Sequence, residues 1–132
     1  MEPRISFVTL GVGDLDRSTR FYRDVLGLAV RTALPEVTFF EMGKTWLALF
    51  PRAMLAADAG VPETGSGFAG FALAHNVRSE QEVDALLAQA AGDGGRLVKP
   101  GQRTEWGGYA GYFADPDGFL WEVAWNRDFP HV

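Results

Sequence analysis

The side chains able to do chemistry in this chain are few in kind. There is no cysteine, and only two histidines, His75 and His131, stand beside 17 Asp and Glu residues. That composition excludes disulfides, thiolate nucleophiles, zinc ribbons and iron–sulfur clusters. A catalytic metal would have to rest on carboxylates with little help from imidazole. The carboxylate that stands out is Glu122, set among Leu120, Trp121, Val123, Ala124 and Trp125. Strand alternation turns it to the same side as Leu120 and Ala124, toward an interior. A carboxylate there must be protonated or matched by a cation or by hydrogen-bond donors. Three roles are open to it: a hydrogen-bonded structural group, a counter-charge or acceptor for a ligand, or a proton shuttle. Arg31, Arg96 and Arg103 are its candidate partners.

Other motifs carry less. Gly11-x-Gly13 follows a strand but lacks the third glycine and downstream acid of a dinucleotide site. Gly92-Asp93-Gly94-Gly95 has no following Lys-Ser and reads as a helix stop. Arg17, Arg20 and Arg23 are interleaved with Asp16 and Asp24, the pattern of a solvated helix face with i,i+4 pairs. His75 alternates with Leu73 and Val77, toward the helix side of its strand, and reads as a buried or edge histidine. His131 is the penultimate residue of the sequence and is expected to fray.

The elements that must position these groups follow from the patterning. The 132 residues are 47% hydrophobic and 22% charged, which suits one packed domain. The net charge of −5 argues against nucleic acid, whose phosphates call for a basic stripe. No apolar run is long enough for a membrane span, and the start of the sequence lacks a basic-then-apolar leader; a cytoplasmic protein is expected. Residues 5–12 predict a strand, and Asp14 caps a helix running to about Leu26, with Gly27 as its stop. Strands follow near 28–33, 37–42 and 45–50. Residues 51–66, rich in Ala, Gly and Pro without a clean period, read as a linker.

The pattern then recurs. Residues 68–77 predict a strand, and Ser79 with Glu82 forms a capping box before a helix bearing Val83, Leu86, Leu87 and Ala90. Strands follow near 96–99, 108–114 and 119–125, the last two joined by a tight turn at Asp115-Pro116-Asp117-Gly118. The helix caps Asp14 and Ser79 are 65 residues apart. The chain is thus a tandem repeat, each unit β-α-β-β-β: an α+β fold with module 1 over about 4–50, the linker, and module 2 over about 67–126. One helix covers one face of each sheet. The expectation is two curved mixed sheets around a cleft.

The run from Val8 to Ser18, the segment Phe21-Tyr22-Arg23-Asp24-Val25-Leu26-Gly27-Leu28, and Asp115-Pro116-Asp117-Gly118 followed by Glu122 together resemble the vicinal oxygen chelate superfamily. That superfamily includes glyoxalase I, extradiol dioxygenases, fosfomycin-resistance enzymes and bleomycin-resistance proteins. The resemblance speaks strongly for the fold and weakly for an activity, because the superfamily hosts many reactions. It implies four metal-ligand positions, two per module. In this chain they are Phe7, Ala48, Ala72 and Glu122, so one of four can hold a metal.

Parity places Phe7, Thr9, Trp46, Ala48, Phe50, Ala72, Ala74, Asn76, Leu120, Glu122 and Ala124 inward. Phe39 or Phe40, Trp106, and Tyr109 or Tyr112 lie nearby. Trp121, Trp125 and Phe71 read as core. The ligand-binding set expected from this is Glu122, Phe7, Trp46, Phe50, Ala72, Trp106 and Tyr109, with no metal, no cofactor and no catalytic residue. It implies a small-molecule binding or sequestering protein, its ligand cationic or aromatic, working as a homodimer like the bleomycin-resistance branch. The alternative is a metal-dependent glyoxalase-like lyase or dioxygenase.

Overall fold

The computed structural model describes residues 1–128 except Ser66, Gly70 and Trp106. The chain divides into two compact units, Met1–Gly67 and Phe68–Val132. Each is built on one four-stranded mixed sheet.

In the first unit the strands are β1 (Phe7–Val12), β2 (Val30–Leu34), β3 (Val37–Met42) and β4 (Thr45–Pro51), in the order β1-β4-β3-β2. β1 runs parallel to β4, and the other pairings are antiparallel. Alternation divides the sheet. Leu10, Val12, Phe40, Leu47 and Leu49 are buried on one face. Helix α1 (Leu15–Arg20) packs there and is tied to the sheet by a 2.9 Å bond between the Thr19 and Thr38 hydroxyls. Asp14 caps α1, its side chain accepting from the Arg17 N–H at 2.9 Å.

The expected single helix to Leu26 is not regular. It widens into a π-helical turn over Phe21–Val25, where the Leu26 N–H donates to the Phe21 carbonyl. The wider turn lets the adjacent Phe21 and Tyr22 both bury, edge to face at 5.4 Å. Arg23 binds its neighbour Asp24 at 2.6 Å, and the i,i+4 neighbour Arg20 also acts on Asp24 through its charge.

The expected linker is in part a helix, α2 (Arg52–Ala59), closed by Gly60 in the left-handed region. It packs against the face of the sheet opposite α1. A Cβ on Gly11 would stand 3.2 Å from Leu55 Cδ2 and 3.3 Å from the Arg52 Cα. Gly11 lets the helix settle on that end of the sheet.

The second unit contains β5 (Leu73–Asn76), α3 (Glu80–Ala90), β6 (Arg96–Arg103), β7 (Tyr109–Ala114) and β8 (Leu120–Trp125), with sheet order β5-β8-β7-β6. β5 is shorter than the 68–77 expected and β6 longer than 96–99. Ser79 caps α3 by accepting from the Glu82 N–H at 3.1 Å, and the Glu82 carboxylate reaches back to the Arg78 N–H at 2.8 Å. α3 buries Val83, Leu87 and Ala90 against the face bearing Phe113 and Val123. The turn between β7 and β8 is held by Asp115, whose carboxylate accepts from the N–H groups of Asp117 and Phe119, each at 2.9 Å.

One expected core position differs, and His75 takes the edge place, one of the two expected for it. Phe71 is 44% exposed, beside the ring of Phe119 at 6.2 Å. His75 lies exposed on β5, an edge strand of its sheet.

Candidate functional site

The register makes the two units directly comparable. In the first, Thr9, Ala48 and Phe39 stand side by side across β1, β4 and β3. In the second the matching row is Ala74, Glu122 and Tyr112 across β5, β8 and β7. Ala48 and Glu122 therefore hold equivalent places, and both rows lie on the face away from α1 or α3. Two residues before Thr9 is Phe7; the same step before Ala74 is Ala72, which precedes β5 and is exposed.

The open face of the first unit carries an aromatic platform. Phe7 lies 5.9 Å from Trp46 and 5.9 Å from Phe39, both edge to face, and Phe39 and Trp46 are 6.3 Å apart. Phe7 is half exposed, so the platform meets solvent. The Arg31 guanidinium stands 5.9 Å from the Trp46 ring and 3.6 Å from the Glu41 carboxylate. Phe50 pairs with Gly11 at the end of this face where α2 packs.

On the open face of the second unit, Glu122 is half-buried and stands opposite Tyr112 in the β7–β8 register. Burial first, then the Glu122 charge and its pull on the phenol proton, raise the Tyr112 pKa above its ordinary 10.0. Tyr112 is the partner that sequence left unresolved. Two of the expected cations are engaged elsewhere, Arg31 with Glu41 and Arg103 with Glu80 at 3.4 Å. The clue to Tyr112 was its parity with Glu122, which needs the β7–β8 register.

Tyr109 is a correction. It lies an odd number of residues from Tyr112 and faces α3, where its hydroxyl donates to Asp84 Oδ1 at 2.9 Å. That bond is the first cause of its raised pKa. It does not share a face with Glu122. Trp106 and His131 lie outside the described residues.

Residues 4–123 match the family model described as Glyoxalase/Bleomycin resistance protein/Dioxygenase superfamily. The chain belongs to this superfamily. Among curated relatives of this glyoxalase-superfamily chain, the metallothiol transferase FosB of Shouchella clausii is 30% identical over 121 residues, covering 90% of this chain and 77% of that protein. A lactoylglutathione lyase of Arabidopsis thaliana is 29% identical over 130 residues, covering 91% of this chain. The chain spans 43% of that plant enzyme's length. Among solved structures, a glyoxalase-related enzyme from Fulvimarina pelagi superposes with a TM-score of 0.90 at 41% identity, covering 97% of this chain and 91% of that one.

A metal is the group that the superfamily implies, and the residues present do not fit one. At the four ligand positions, Phe7, Ala48 and Ala72 offer phenyl and methyl groups, and only Glu122 offers an oxygen. Its neighbour across the register is the Tyr112 phenol. Among the described residues, no three of His, Asp and Glu converge to hold an ion. Divalent sites in proteins rest on three or four protein donors, and a single carboxylate falls well short of that.

Proposed function

We propose that this glyoxalase-superfamily protein binds a small organic molecule without a metal, on the open sheet faces that bear the aromatic platform and Glu122. The observation that carries this reading is the substitution of the ligand row: rings and methyl groups stand where donors are needed, and the one carboxylate stands opposite a phenol. Phe7, Trp46 and Phe39 offer faces and edges to a flat ring, with Phe50 beside them. Glu122 offers charge. A cation over the aromatic face of the first unit gains about 0.5–2 kcal/mol. On the open face of the second unit, the Glu122 carboxylate independently favours a cation where water is thinned. The expected ligand is therefore aromatic and cationic.

The test is a thermal-shift comparison of size-matched cationic and anionic aromatic compounds. Cations should raise the melting temperature more, and Glu122→Gln should narrow the difference while preserving the fold. Better binding by the anions, or no effect of Glu122→Gln, would leave Glu122 a structural residue. We include in this reading a homodimer, because Ile5, Phe7, Leu34, Phe68 and Phe71 are all exposed in one chain. Light scattering at micromolar concentration should report the mass of two chains; the mass of one would remove the dimer.

The 41% identity to a glyoxalase-related enzyme favours a second reading, in which catalysis is retained. Turnover of a hemithioacetal by the purified chain that rises with added divalent metal would establish it.

A further inference from the structure

The second unit contains a recess on the opposite side of its sheet from Glu122. It encloses about 380 Å³ and is lined by Glu80, Arg103, Thr104, Gly108, Trp125 and Arg127. Glu80 is in the first turn of α3, Arg103 ends β6, and Trp125 ends β8. Arg103 and Trp125 both pair with Tyr109, so all three lie on the α3 face. The volume falls in the range of small-molecule pockets, which join an apolar surface to a few polar groups.

The chemistry of the lining selects by charge. Two guanidiniums and one carboxylate line the recess, with Asp128 beside Arg127, so anion binding there rests on the two arginines turning from these carboxylates to the ligand. The Arg103–Glu80 contact is 3.4 Å with the Arg103 side chain 82% exposed, and Arg127 lies 3.7 Å from Asp128 with its side chain 83% exposed. Exposed pairs of this kind are weak, so an incoming anion can displace them. Thr104 Oγ1 accepts from the Gly108 N–H at 3.0 Å, which fixes the oxygen and leaves its own proton to donate. Trp125 is half-buried and presents an indole surface. Arginine forks match carboxylate and phosphate oxygens two at a time.

We propose that this recess is a second binding site, for a small molecule carrying a terminal oxyanion on a flat apolar body. The oxyanion meets Arg103, Arg127 and the Thr104 hydroxyl, and the apolar body lies on Trp125. The site is independent of the function proposed for Glu122 and prefers the opposite charge.

The experiment uses the ¹⁵N-labelled full chain with benzoate, phenyl phosphate and benzylammonium as probes. Both anions should shift the amide signals of Thr104, Gly107 and Gly108 and the indole signal of Trp125, and benzylammonium should not. Whichever anion binds tighter names the oxyanion. The double variant Arg103→Ala/Arg127→Ala should weaken anion binding about tenfold or more, whereas Glu80→Gln should strengthen it by removing the competing carboxylate. Glu122→Gln should leave it unchanged, so failure here and failure of the Glu122 reading are told apart. Absence of shifts at millimolar anion, equal shifts with benzylammonium, or unchanged affinity in the arginine double variant would overturn the proposal.

Discussion

The two units use one sheet plan and fill it differently. At equivalent places in register, the first has Thr38, Phe39 and Phe40 on β3, and the second has Gly111, Tyr112 and Phe113 on β7. The helix-facing Phe is common to both, because each helix needs a large apolar partner. The neighbouring position is set by how the helix sits. Thr38 reaches a hydroxyl on α1, whereas a Cβ at Gly111 would lie 2.5 Å from Leu87 Cδ1 and 2.7 Å from the Lys99 carbonyl oxygen. On the open face, the first unit is aromatic and the second carries a phenol–carboxylate pair. A shared fold thus leaves the open faces free to diverge while the helix faces stay under packing control.

The largest effects should come from the shared core. Phe40 lies against Tyr22 at 5.9 Å, and Phe113 stacks on Trp121 at 6.1 Å. Phe40→Ala and Phe113→Ala should each cost about 3–5 kcal/mol in urea unfolding, as for other large-to-small core changes. A much smaller loss in one unit would show that its helix packs more loosely than its partner's.

Next is the position where the units differ. Gly111→Ala should cost about 2–3 kcal/mol, because two of its three clashing neighbours, the Lys99 carbonyl oxygen and the Gly101 nitrogen, are backbone and cannot turn aside. Thr38→Ala should cost about 1–2 kcal/mol by losing a part-buried hydroxyl pair. Equal costs would mean that α3 can shift as readily as a side chain.

The open-face pair gives a pH signature. The Tyr112 pKa is raised in the folded chain, so the stability it contributes is complete below its ordinary value of 10.0 and is lost as pH rises through the folded value. In an absorbance titration, Glu122→Gln should lower the titration midpoint of Tyr112, since the Glu122 charge, the second of the three causes of its shift, vanishes. Tyr112→Phe identifies the transition. An unmoved midpoint would mean that burial alone sets it.

The smallest effect concerns Ser18, whose buried hydroxyl has no hydrogen-bond partner among the described residues. Ser18→Ala should be neutral or stabilising by up to about 1 kcal/mol, measured by thermal unfolding. A clear loss would mean that the hydroxyl makes a contact not seen here.

Much of this arrangement was legible in the sequence. Asp14 and Ser79 mark both helix starts because caps are local, and Asp115-Pro116-Asp117-Gly118 marks its turn for the same reason. The family resemblance rested on short local motifs, and the row of Phe7, Ala48, Ala72 and Glu122 is what that resemblance implies. What escaped depends on long-range pairing. α2 has no buried residue, so no apolar stripe marked it within the expected linker. Tyr109 and Tyr112 could not be told apart without the β7–β8 register. The recess around Arg103, Arg127 and Trp125 gathers residues from α3, β6, the turn after β6 and the end of β8, which no local pattern connects.

The central claim is that the ligand row of this superfamily member no longer serves a metal. Elemental analysis of protein purified without chelators tests it most directly. The account predicts zinc, nickel, iron and manganese each far below one per chain, unchanged in Glu122→Gln. About one equivalent of any of them per chain, lost in Glu122→Gln, would contradict it.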